Sequence, residues 1–192
     1  NGTARSFLER PAPRWEGLSG GGGLGSSGGG GSSEVGGTGL VRFATEAELG
    51  TALVMPVGTR AEIEGAGQRF VGVGGIRQEV ISRLGWTPGN VWIPEPALAR
   101  MLSRRSVFPD LLAAVQALLL FASSVHVDRE LEQGAYFVIP GDLLREKGLL
   151  TSQSAPFVDG VVELRQVPGG SYLRLFHFGP TKRVKGGTQI WP

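Results

Sequence analysis

Few side chains in this sequence can move protons at neutral pH, and His126 is the first to consider. It closes a long apolar run, with Asp128 two residues on and Glu130 beyond. An imidazole beside a carboxylate is the arrangement of a general base and its positioning group, so His126 with Asp128 is the pair a hydrolase would use here. The same groups could ligate a metal, but no third ligand is spaced nearby. No metal site is expected, and no residue is assigned a catalytic role. The second histidine, His177, stands inside an aromatic strand pattern, where a packing role is expected. Gly72-Val-Gly74-Gly75 falls between a strand and a helix pattern, but Arg77 stands where a dinucleotide fingerprint needs glycine, and no Lys-Ser/Thr follows. It reads as a tight turn, so no cofactor is expected. Glu62 and Glu64 alternate with Ala61 and Ile63, which describes the wet face of a hairpin rather than a glycosidase pair. No serine lies in G-x-S-x-G.

The absence of cysteine excludes a disulfide framework, a thiolate zinc site and a cysteine nucleophile together. It fits a reducing compartment, and equally an exterior protein stabilised by assembly. Nineteen basic and 17 acidic residues leave a net charge of +2, with no basic stripe of the kind a nucleic-acid binder shows. Lys182, Arg183 and Lys185 with Trp191 read as a tail that is solvated or docked on an acidic neighbour, and nucleic acid is not expected as a partner. A chain beginning at Asn1 reads as a processed form or a fragment, and its first residues lack the order of a secretion signal. The longest apolar run, Leu111 to Val125, includes Gln116. It is shorter than the roughly 20 residues of a bilayer span, so a buried helix is expected and no membrane span.

The elements that must position these groups follow from periodicity and turn chemistry. Residues 1–18 form an arm in which Phe7 and Trp15 stand among arginines and prolines. Residues 19–39 form a Gly/Ser-rich linker, which accounts for much of the total of 32 glycines. The body, 40–180, opens with a strand to Ala44. Thr45 and Glu48 then have the spacing of a capping box, predicting a helix to about Leu53. Residues 59–64 and 68–73 read as a hairpin about Gly65-Ala-Gly67. Helices are expected over 76–84, 95–105 and 108–123, the last apolar nearly all round and therefore central. Strands 125–127 and 135–139 and a short helix 141–147 follow. A second hairpin, 158–167 with 171–178, turns at Pro168-Gly169-Gly170. In its second strand Leu173, Leu175 and His177 would share one face and Tyr172, Phe176 and Phe178 the other. Both faces then carry apolar or aromatic residues, which predicts burial within the domain or against another subunit. Residues 181–192 read as a basic tail. The fold class expected is α+β: short antiparallel strands and hairpins around a central apolar helix, with an extended Gly/Ser-rich N-terminal arm.

Val41-Arg-Phe-Ala-Thr-Glu-Ala-Glu-Leu and Pro56-Val-Gly-Thr-Arg-Ala-Glu-Ile-Glu-Gly-Ala-Gly-Gln-Arg-Phe-Val resemble a small module of tailed-phage virion proteins, especially tail fibres and other appendages. The resemblance covers Gly39 to Gly75. It implies a structural virion component, assembled in symmetric copies and without catalysis, whose partners are other copies of itself, other virion proteins and a possible host-surface receptor. On that expectation the inter-subunit contacts fall to Phe7, Trp15, Leu24, Tyr172, Phe176, Phe178 and Trp191, and the location is the virion, with an extracellular or cytoplasmic site as the alternative. Two other functions are open: a receptor- or glycan-binding module presenting Trp86, Trp92 and Tyr172, and a hydrolase using His126 and Asp128.

Overall fold

The structure is a computed structural model that describes residues 39–52, 54–103, 106–127, 133–184 and 187–192. The arm, nearly all of the linker, and with them Phe7, Trp15 and Leu24 lie outside the described residues, as do Asp128 and Glu130. The described residues belong to one of two units into which the chain divides, Gly36–Pro192.

The expectation of short strands around a helix is overturned. The domain is organised by a single mixed sheet of nine strands. In chain order these are β1 (Leu40–Phe43), β2 (Arg60–Ile63), β3 (Arg69–Gly75), β4 (Asn90–Pro94), β5 (Ser124–Val127), β6 (Gly134–Pro140), β7 (Phe157–Val167), β8 (Gly170–Thr181) and β9 (Thr188–Trp191). Their spatial order is β1-β2-β3-β4-β8-β7-β6-β5-β9. β1 runs parallel to β2 and β4 parallel to β8, and all other neighbours are antiparallel. β7 and β8 are 11 and 12 residues long, the longest strands, and lie mid-sheet. Local pattern gives the hairpins β2–β3 and β7–β8. The pairing of β4 with β8 brings together residues some eighty positions apart, and no local pattern signals that.

Each face of the sheet has its own core. On the first face lie α2 (Gln78–Leu84), α3 (Glu95–Leu102), α4 (Leu111–Phe121) and α5 (Gly141–Glu146). They bury Val80, Ile81, Met101, Leu118 and Leu144 against Val91, Ile93, Val125, Phe137, Val158, Val162, Leu173 and Leu175. α4 begins as its sequence requires: the Asp110 carboxylate accepts from Ala113 N at 3.0 Å, satisfying one of the free N–H groups of the first turn. It settles close on β7 because Gly160 lies beneath it, where a Cβ would come within 2.5 Å of Leu118 Cδ2.

The second face carries α1 (Glu46–Thr51) and a smaller core of Leu49, Ala61, Ile63, Phe70, Trp92 and Tyr172. The capping box does not form: Glu48 Oε2 accepts from Ala44 N at 2.9 Å, one residue before the cap, and the Thr45 hydroxyl caps nothing. Trp92 is fully buried, and its indole N–H donates to Leu49 O at 3.1 Å, which fastens α1 to the sheet. Trp92 and Tyr172 are therefore core residues and do not form an exposed aromatic surface. The predicted C-terminal tail is in part a strand: β9 pairs with β5 and forms one edge of the sheet. Among the described residues no helix is long and apolar enough to cross a membrane.

Candidate functional site

A β-bulge in β8 decides which side chains meet. Val161 pairs with His177 and Val162 with Leu175, so Phe176 is an extra residue. An extra residue breaks the alternation of strand side chains. Leu175 and Phe178 consequently both enter the main core, and Phe178 packs against Phe108 with ring centroids 4.8 Å apart. His177 turns to the second face. The predicted grouping of His177 with Leu173 and Leu175 is thus incorrect, and so is that of Phe178 with Tyr172. The double apolar character of the strand reflects this bulge together with burial in two different cores.

On the second face, register places Gln189, His126, Tyr136, Val161 and His177 in one row across β9, β5, β6, β7 and β8. The next row holds Ser124, Val138, Asp159 and Gly179. α1 covers the β3–β4–β8 part of this face. The helices that touch β6 and β7, α4 and α5, bury their apolar residues in the opposite core.

The central pair of this surface is His177 and Asp159, one strand and one row apart. His177 Nε2 lies 3.3 Å from Asp159 Oδ1, with the imidazole 41% exposed. The contact is close enough for charge pairing but is not aligned as a hydrogen bond, and Oδ1 has no other partner. Asp159 itself is only 3% exposed. A buried carboxylate is costly unless paired, and this imidazole is an ion-pair partner that reaches it.

Beside the pair lies a second charged cluster. Glu163 is contacted by Arg174 Nη2 and, at 3.6 Å, by Arg165 Nε. Two guanidinium groups on one carboxylate leave a net positive charge. Arg174 also lies over the Phe176 ring, 5.8 Å from its centroid, so the bulge residue and the carboxylate both hold it. Arg174 Nε is buried without a hydrogen-bond partner.

His126 occupies a different environment. Its Nε2 is 3.0 Å from Ser124 Oγ. Burial lowers its pKa from 6.5, opposed by a hydrogen bond with the Gly187 backbone, so at neutral pH the ring is held uncharged. Three strand spacings separate β5 from β8, roughly 14 Å, so the two histidines do not act on one atom. The sequence pairs His126 with Asp128. In the structure the imidazole–carboxylate contact among the described residues is His177 with Asp159.

The remaining sequence-predicted contact residues fall in separate places. Tyr172 and Phe178 are buried within the chain, each 2% exposed. Phe176 is partly exposed beside Arg174. Trp191 lies on the far edge, with Arg83 and Arg77 at 4.9 and 5.6 Å from its ring and Arg83 Nη1 donating to Ile190 O at 2.8 Å. A small cleft of about 10 Å³, lined by Gly50, Asn90, Ser171 and Tyr172 among others, has room for about one water. Among the described residues no three His, Asp or Glu side chains converge. Comparison with protein-family models, curated proteins and solved structures finds no match.

Proposed function

We propose that this chain acts through the β6–β8 part of the second face, with His177 as a general base and Asp159 as its positioning group, on an anionic substrate. The observation that carries this reading is the burial of Asp159 behind a solvent-facing imidazole. A carboxylate 3.3 Å from Nε2 stands where the positioning group of a general-base histidine stands. The positive cluster of Arg165, Glu163 and Arg174 beside it gives a place for negative charge. This departs from the non-catalytic role implied by the phage-tail resemblance, because the pair depends on a strand register that the sequence does not reveal. Turnover of chromogenic phosphodiester, carboxylic ester and glycoside substrates by the wild type and His177→Ala tests it. The reading expects at least one activity, lowered 100-fold or more by the substitution. Activities that His177→Ala leaves unchanged would refute it.

A second reading, a structural subunit of a phage-like assembly, is favoured by β1. This edge strand pairs only with β2 among the described residues, and Leu40 on it is 40% exposed. An open edge is a template for adding a strand from a neighbouring copy. This reading also draws on the resemblance of Gly39–Gly75 to a virion module. Light scattering tests it: concentration-dependent assemblies that Leu40→Lys weakens would support this role, and a monomer at high concentration would count against it.

A further inference from the structure

The chemistry around His177 narrows the substrate class, on the footing that the acid–base reading above is correct. The hydroxyl side chains sharing this part of the face are Tyr136, Ser124 and Thr181. Their backbone positions lie two or three strands away, or four residues along β8, about 10 Å or more from His177. None occupies a position on β7 or β8 neighbouring His177. The attacking oxygen therefore arrives with the substrate or as water. Arg165 and Arg174 share the single carboxylate of Glu163, so this cluster, taken apart from Asp159, carries one positive charge. Partly exposed aromatic rings share the face: Phe157 on β7, Tyr136 on β6, and Phe176 at the bulge. β8 runs on into the exposed Lys182 and Arg183. An anionic substrate that carries its own hydroxyl next to the reacting centre, with flat groups that stack on aromatic rings, is single-stranded RNA.

We infer that this face binds single-stranded RNA and cleaves it by internal transesterification. His177 Nδ1, the ring nitrogen not facing Asp159, takes the proton of a ribose 2′-hydroxyl. The 2′-oxygen bonds to the adjacent phosphorus, the P–O5′ bond breaks, and O5′ leaves with a proton from water. The products are a 2′,3′-cyclic phosphate and a 5′-hydroxyl end, and His177 returns its proton to solvent. Arg174 lies beside the phosphorane and offsets its charge, while Asp159 acts only through His177.

The test uses the full chain and a random-sequence single-stranded RNA pool, with its 2′-deoxy counterpart as control. The wild type is expected to cleave the RNA to cyclic-phosphate ends and to leave the deoxy pool intact. His177→Ala should lower the rate at least 100-fold, and Arg174→Gln about 10-fold or more. Asp159→Asn should lower kcat while leaving KM unchanged, a split that a purely structural role would not give. His177→Gln, with an unchanged circular-dichroism melt, guards against loss of fold. No cleavage of the RNA pool, equal cleavage of the deoxy pool, or full activity in folded His177→Gln would each overturn the inference. His177-dependent turnover of another substrate without RNA cleavage would overturn RNA as substrate and leave the acid–base reading standing.

Discussion

At the scale of single residues, the two histidines show how environment divides one chemistry into two roles. His177 stands at the surface with a buried carboxylate behind it, whereas His126 is enclosed and held neutral. The second fact has a consequence for stability. A histidine whose folded pKa lies below its unfolded value binds protons more readily in the unfolded chain. The folded state is therefore unpenalised above about pH 6.5, and stability is lost as pH falls from there towards the folded pKa. The loss has a slope of at most about 1.4 kcal/mol per pH unit for one group. Urea midpoints measured from pH 7.5 to 5 should fall for the wild type and fall less for His126→Gln. The sequence shows both histidines and assigns neither a catalytic role. Asp128 is near His126 in sequence but lies outside the described residues. Asp159 reaches His177 only through the β7–β8 register, and the bulge at Phe176 reverses the face that simple alternation gives for His177.

At the scale of elements, much was legible. The apolar run of α4, its Asp110 cap, the β2–β3 hairpin and the long β7–β8 hairpin each follow from local pattern and turn residues. What local pattern does not give is how closely elements approach. α1 is short and poorly capped, so its place depends on tertiary contact. Gly50 provides it: a Cβ there would lie 1.6 Å from the Ser171 carbonyl oxygen of β8. Backbone cannot yield by that much without moving the helix. Gly50→Ala should therefore displace α1 and cost about 1–3 kcal/mol in urea unfolding, the range of core overpacking. It should also loosen Trp92, whose indole bonds to Leu49 O in the same helix, and Trp fluorescence reports that change directly.

At the scale of the whole molecule, the sheet is closed together by pairings between distant segments. β4 lies parallel to β8, and the last strand, β9, crosses to the far side of β5. Neither is visible in composition or periodicity, because nothing local distinguishes a four-residue edge strand from an extended tail. β9 is held from the first face by Arg77 and Arg83 over Trp191. Trp191→Ala removes both cation–π contacts and a partly buried ring, and should cost about 2 kcal/mol. Hydrogen exchange should then quicken in β5 and β9 and stay unchanged in β2 and β3. The same topology leaves the second face of β6, β7 and the later part of β8, beyond the Ser171–Tyr172 stretch that α1 covers, without a helix among the described residues, and that is where the His177–Asp159 pair lies. NMR titration with a non-cleavable 2′-deoxy single strand tests the role of this face most directly. The account predicts shifts gathered on His177, Arg174, Phe176 and Tyr136, with weaker ones on Lys182 and Arg183. Shifts confined to α2, α3 or the β1 edge, or no shifts at saturating ligand, would contradict it.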